Sequence, residues 1–156
     1  MKQVLLTVGR ARADYAARGL EDYARRLKPW GGLELAWVKP ERAGGGRPPG
    51  EILEAEAGRI LQKLKDRDLV WALDRRGRAW SSRDWAAHLD QARLAAPPRL
   101  VLVVGGPLGL GGPVLERAQE RVSLGPATFA HELAALVVAE QLYRAHTILA
   151  GTPYHR

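Results

Sequence analysis

Apolar residues recur along this chain with two different periods, and the periods alternate. Short, nearly continuous apolar runs at residues 4–8, 33–38, 69–73 and 99–104 have the length and side-chain types of strands. Between them, residues 12–28, 51–65 and 82–94 place apolar side chains three or four apart, the period of an amphipathic helix. The first of these helices turns Tyr15, Leu20, Tyr23 and Leu27 inward and stops at Pro29. The second turns in Ile52, Leu53, Ile60, Leu61 and Leu64, and the third is capped by Ser81 or Ser82. Strands alternating with helices predict an α/β fold, a parallel sheet with helices on both faces. The run 39–50, KPERAGGGRPPG, fits neither period and reads as a mobile loop, while Asp74 and residues 75–78 read as a basic turn closing the third strand.

The last third of the chain reads strand, glycine turn, short helix, strand, glycine loop, long helix and basic tail. Its first strand is apolar at Leu100, Val101, Leu102, Val103 and Val104 and so has no wet face, which places it inside a covered sheet. It breaks at Gly105-Gly106-Pro107, where bare backbone lets a ligand approach the carboxyl ends of the strands. The long helix carries two apolar arcs. Leu133, Leu136, Val137, Tyr143 and Ile148 form one, with Glu140 and Arg144 among them; Ala134, Val138, Leu142, Ala145 and Leu149 form the other. If one core covers only one arc, the second is left for another copy of the chain, so a homodimer is expected.

The 156 residues read as one domain, 1–156, with 46% apolar residues to build its core. No apolar run approaches the length of a membrane span and no signal peptide opens the chain, so a soluble cytoplasmic protein without membrane contact is expected. The absence of cysteine excludes disulfides and thiolate metal sites. Lys and Arg number 24 against 17 Asp and Glu, a formal charge of +7. The basic residues gather at predicted loops and ends, among them Arg10, Arg12, Arg75, Arg76 and Arg78, which points to a polyanion such as nucleic acid.

Several site chemistries fail on spacing. Neither Gly9-Arg10-Ala11-Arg12 nor the glycines of 105–112 match the dinucleotide pattern G-x-G-x-x-G, and no G-x-x-x-x-G-K-[ST] or G-x-S-x-G occurs. His131-Glu132 opens H-E-x-x-H, but residue 135 is Ala, so no metal is expected.

In order over the whole length, the chain carries Val8-Gly9-Arg10, Asp22-Tyr23, Leu73-Asp74 with Gly77, and Gly105-Gly106-Pro107 with Gly109-Leu110. These are followed by Ser123-Leu124 with Thr128 and His131, Glu140-Gln141-Leu142-Tyr143-Arg144-Ala145, and Tyr154-His155-Arg156. That set resembles the SPOUT-class family of large-subunit ribosomal RNA methyltransferases H, which methylate N3 of a pseudouridine (position 1915) in 23S rRNA. The resemblance implies a SPOUT-type α/β fold with a C-terminal trefoil knot, S-adenosyl-L-methionine as cofactor, and 23S rRNA or the ribosome as partner. It assigns cofactor binding to Leu73, Gly105, Gly106, Gly125, Pro126, Ala127, Thr128, Phe129 and Ala130. It also implies catalysis at the terminus: His155 as the base that takes the N3 proton, Tyr154 stacked on the flipped base, and Arg144 and Arg156 holding phosphate or a developing negative oxygen. Two positions depart from the family pattern, Ala130 where proline is usual and Ala135 where arginine is frequent. A non-catalytic RNA-binding or ribosome-assembly factor on the same fold, and a methyltransferase for another RNA such as tRNA, are the alternatives.

Overall fold

The computed structural model describes residues 1–155. Five strands, β1 (Lys2–Val8), β2 (Leu33–Val38), β3 (Leu69–Ala79), β4 (Arg99–Val104) and β5 (Glu120–Ser123), form one sheet in the order β2-β1-β4-β3-β5, with every pair parallel. The connections carry α1 (Asp14–Arg26), α2 (Pro49–Lys63), α3 (Ser82–Ala95) and α4 (Gly112–Arg117), and α5 (His131–Leu149) follows β5. Parallel strands require such crossovers, and the expected sheet with helices on both faces is found. Leu5, Leu33, Trp71, Leu100, Leu102 and Val104 point to the side covered by α1, α3 and α5. Val4, Leu6, Val8, Val70, Val101 and Val103 point to the side of α2 and α4. β4, apolar from Leu100 to Val104, is buried on both faces over those residues as its composition requires.

The helices differ from the sequence reading mainly at their ends and faces. α1 begins at Asp14 and stops at Arg26, and a short 3-10 turn, Lys28–Trp30, opens at Pro29. Tyr15 is not inward: it is 56% exposed in the first turn of α1, where Ala16 occupies the core-facing position. α2 begins at Pro49, within the stretch expected to be loop, because proline suits the first turn of a helix, where no partner exists for its missing N–H. α3 starts from a capping box in which Ser81 Oγ accepts the Asp84 N–H and Asp84 accepts the Ser81 N–H.

The basic turn at 75–78 is also revised. β3 runs on through it, and both Leu73 and Arg78 pair with Val122 of β5, so residues 74–77 are extruded from the ladder as a bulge. Asp74 Oδ1 accepts the Arg76 N–H at 3.2 Å and shapes the extrusion.

On α5 the buried face comprises Ala134, Ala135, Val138, Ala139, Leu142 and Ala145. The other arc is not left bare. α1 and α3 flank α5 in one layer, Leu136 lies against Gly19 of α1 where a methyl group would not fit, and Tyr143 meets the rings of Tyr23 and Trp30 at 5.8 Å. Leu136, Tyr143 and Ile148 of this arc therefore join the same core as the other arc, while Leu133 stays exposed, so the arcs by themselves do not require a second copy.

Candidate active site

β3 delivers its chain to α3 on one face of the sheet, while its neighbour β4 delivers to α4 on the other. Connections that part in opposite directions from adjacent strands open a crevice at the strands' carboxyl ends. A cavity of about 560 Å³ occupies that position. Its walls are Leu73 with the bulge residues Asp74, Arg75 and Arg76, the turn 105–110 after β4, the loop 123–129 after β5, and His131 and Ala134 from the start of α5. Leu73, Leu110, Leu124 and Phe129 make it apolar, whereas Thr128, the loop backbone and the two arginines make it polar on one side. A small-molecule site has this size and mixture.

Of the nine residues assigned to the cofactor, Leu73, Gly105, Gly106, Gly125, Pro126, Ala127, Thr128 and Phe129 line the cavity. Ala130 does not. It is the N-cap of α5 and makes no side-chain cap bond, which an alanine cannot supply. The glycine pair has a structural reason of its own. A Cβ on Gly105 would overlap the Gly109 backbone, which folds back in a turn closed by the Gly109 N–H on the Gly106 carbonyl at 2.9 Å. A Cβ on Gly106 would point at Val8 Cγ1, 3.3 Å away, and at the buried Glu56 carboxylate, not into the cavity. Gly106 therefore offers backbone to the site, and a side chain there would press on the α2 face of the sheet.

The terminal residues form a second cluster. Arg144 donates through Nε (3.0 Å) and Nη2 (2.6 Å) to Glu140 Oε1, four residues back on α5. The Tyr154 hydroxyl donates to the same oxygen at 3.1 Å and meets the Tyr23 hydroxyl at 3.3 Å, while its ring packs edge-on against Tyr143, 4.8 Å between centroids. The Arg144 guanidinium lies 4.8 Å over the Tyr154 ring, and its Nη1 is 3.5 Å from His155 Nδ1. Gln141 donates to Glu140 Oε2 at 2.6 Å and accepts from Ser82 Oγ at 2.8 Å, so α3 braces the carboxylate. Burial, then the Tyr23 bond and the Glu140 charge, raise the Tyr154 hydroxyl above the ordinary phenol range, which makes it a donor and not a base. The Glu140 hydrogen bond raises Arg144 further and keeps it charged. Arg156 lies outside the described residues.

These two clusters do not meet within one chain. His131 and Ala134 border the cavity at the first turn of α5, whereas Glu140, Arg144, Tyr154 and His155 gather toward its other end, and none of the four lines the cavity. Thirteen helical steps, roughly 20 Å, lead from His131 to Arg144, and six, roughly 9 Å, from Ala134 to Glu140.

A family model described as "Predicted SPOUT methyltransferase" matches residues 1–155. The chain belongs to the SPOUT methyltransferase family. Two full-length relatives named ribosomal RNA large subunit methyltransferase H agree with this. That of Alkalilimnicola ehrlichii is 44% identical over 100% of this chain and 99% of its own, and that of Enterococcus faecalis 35% identical over 100% of both. The crystal structure of a probable methyltransferase from Bordetella pertussis Tohama I shares the fold, with a TM-score of 0.55 at 18% identity over 92% of this chain and 94% of that one.

As a SPOUT methyltransferase the chain is an enzyme, and its crevice has the size and mixed lining of a small-molecule site. Among the described residues the N–H groups of Ala127, Thr128 and Phe129 make no hydrogen bond, which leaves loop donors for a polar ring edge. Arg75 and Arg76 escaped the sequence reading as site residues because a basic run next to glycine looks like a solvated turn. The signal was Leu73-Asp74: a cavity-wall residue one position before the bulge places the bulge over the cavity. Among the described residues no cluster of metal-ligating side chains occurs, and no helix is long and apolar enough to cross a membrane.

Proposed function

We propose that the chain transfers a methyl group from S-adenosyl-L-methionine to N3 of a pseudouridine in 23S rRNA of the large ribosomal subunit, and that it works as a cytoplasmic homodimer. The observation that carries the assembly is the separation of the two clusters on α5. A two-fold axis across α5 sets two copies of the helix antiparallel, so that the terminal cluster of one subunit meets the cavity of the other. Leu108 (46% exposed) and Phe129 (36%) are exposed apolar walls of the cavity, and Leu133 (36%) is exposed on the first turn of α5 beside the wall residue Ala134, a surface which a partner's aromatic tail would cover. The full-length relatives named for the large ribosomal subunit, and the excess of basic charge, support the RNA substrate. The reading also takes the carboxyl-terminal segment to thread the family's trefoil knot.

When bound, the cofactor supplies an electrophilic methyl on a sulfonium sulfur. Leu73 and Phe129 would flank it, and the backbone of Gly105, Gly106 and residues 125–129 would hold it. Ala130 acts only by starting α5. His155, held beside Arg144, accepts the N3 proton of the target base as nitrogen takes up the methyl group. Tyr154 keeps its own proton and presents a ring face and a hydroxyl, while Arg144, fixed by Glu140, and Arg156 stabilise negative charge on the base oxygens or hold a phosphate.

Methyl transfer from labelled cofactor to free rRNA, large subunits, assembled ribosomes and tRNA, followed by mapping of the modified nucleotide, tests the substrate. Label in tRNA alone, or at a nucleotide other than pseudouridine, would overturn it. The shared site is tested by mixing a variant defective only in the cavity with one lacking residues 154–156. Subunit exchange should restore about a quarter of wild-type activity, since half of the dimers are mixed and each has one intact site. No restoration after verified exchange would place the whole site in one chain.

A further inference from the structure

Trp37 is 47% exposed, although an indole has more to gain from burial than almost any other side chain. It lies one residue from the end of β2, the edge strand of the sheet, in register with Thr7 of β1. The chain leaving β1 turns back over it: the Gly9 N–H is bonded to the Val38 carbonyl at 2.9 Å, and the Arg10 guanidinium carbon is 5.2 Å from the indole centroid. Arg10 itself is exposed and makes no ion pair among the described residues, so its N–H groups remain for an outside acceptor.

This segment is tied to the cavity. Glu132, next to the wall residue His131, accepts the Arg12 N–H on Oε1 and the Ala13 N–H on Oε2, both at 2.9 Å. These two backbone bonds hold its carboxyl below the usual carboxylate range and fix Arg12 and Ala13 to the first turn of α5. Trp37 stands two strand spacings, about 10 Å, from β4, whose end forms the cavity floor. Exposed Arg12 follows Arg10 by two residues and exposed Lys39 follows Trp37 by two, and exposed Tyr15 lies in the first turn of α1.

An exposed indole under a guanidinium, on a chain of charge +7, is a surface on which a flat aromatic ring stacks while its attached phosphate is neutralised. A base within a duplex already has both faces covered by its neighbours, so only an unpaired nucleotide can use it. We propose that Trp37 and Arg10 form a stacking platform for an unpaired base of the RNA substrate beside the target nucleotide, with Arg12 and Lys39 contacting its phosphates. This rests on the RNA methyltransferase reading and adds a second point of contact to it.

The test measures binding of two fluorescein-labelled RNAs, a hairpin with an unpaired loop and a duplex of the same composition, at several salt concentrations. Trp37→Ala should weaken hairpin binding by at least about fivefold, the low end for a lost base–aromatic stack, while Trp37→Phe keeps most of the affinity. Duplex binding should change less than about twofold in both. Arg10→Ala should weaken the hairpin and lower the salt slope by about one. Calorimetric affinity for S-adenosylhomocysteine should match wild type in all three, which shows that the fold and cavity persist. Wild-type hairpin affinity in Trp37→Ala would overturn the platform and assign the indole to another role, such as protein contact, and equal loss on hairpin and duplex would overturn it too. Wild-type protein that binds S-adenosylhomocysteine but neither RNA would overturn the RNA reading itself.

Discussion

The Tyr154 hydroxyl and the Arg144 guanidinium share a single oxygen, Oε1 of Glu140, at 3.1 Å and 2.6 Å respectively. A residue four positions before the arginine thus sets the position of both proposed contacts with the base. Glu140→Gln keeps the shape and removes the charge that organises them. Turnover should fall by about tenfold to a hundredfold, while affinity for S-adenosylhomocysteine should hold, because Glu140 does not line the proposed cofactor cavity. Single-turnover rates and calorimetry on the same preparation check this. A wild-type rate would make the carboxylate a bystander.

Removal of residues 154–156 takes away a half-buried ring that packs on Tyr143, so a loss of stability of about 1–2 kcal/mol is expected, less than unfolds the chain. Methyl transfer should drop by roughly 10²- to 10⁴-fold, the range for a lost general base and its neighbours. His155→Ala alone should retain RNA affinity better than Arg144→Ala, since the imidazole is assigned to the proton and the guanidinium to an anion. Filter binding read beside the rates separates the two.

The glycine pair should respond unequally. Gly105→Ala forces the 105–109 turn apart and should cost both stability and cofactor affinity, whereas Gly106→Ala meets only side-chain atoms, Val8 Cγ1 at 3.3 Å and the Glu56 carboxylate oxygens at 3.5 and 3.7 Å, and should be the milder change. Gly106→Val should chiefly destabilise by crowding Val8 and Glu56, with loss of cofactor binding following from displaced backbone. Denaturant melts with and without S-adenosylhomocysteine test the order. Full stability with abolished binding in Gly106→Val would mean that the side chain enters the cavity after all.

A pH effect is expected far from the site. His146, 3% exposed, donates from Nε2 to Gln3 Oε1 at 2.7 Å and stacks on Trp30, while its buried Nδ1 has no partner among the described residues. Burial, with a smaller contribution from Arg93, lowers its pKa to about 4. Between that value and the free-histidine value near 6.5 the unfolded chain binds a proton that the folded chain does not, so stability is full above pH 6.5 and declines as pH falls toward 4. The shift corresponds to about 3 kcal/mol. Urea unfolding across this range should show the decline in wild type and a flatter profile in His146→Gln.

Much of the architecture can be read from residue pattern because burial on two faces leaves an unmistakable run such as residues 100–104, and because Ser81 and Asp84 spell out a capping box. The bulge at 74–77 cannot, since Asp-Arg-Arg-Gly has the composition of a turn and only pairing with Val122 on both sides reveals a strand. The cavity walls follow from glycines at strand ends. The relation of tail to cavity does not: residues 123–156 are adjacent in sequence and look like one site, yet a rigid helix stands between the halves. Tyr15 fails for a simpler reason, as apolar spacing alone does not choose between it and Ala16 as the residue that enters the core.

The helix between the halves acts as a ruler. In the proposed homodimer its nineteen residues would set how far the tail of one subunit reaches along the other, so α5 should tolerate changes of side chain more readily than changes of length. Inserting one turn would preserve every buried face to within a small rotation and move the tail by about 5–6 Å, more than a methyl transfer geometry allows. Such a protein would fold, pair and bind cofactor, and would still hold its two half-sites out of step.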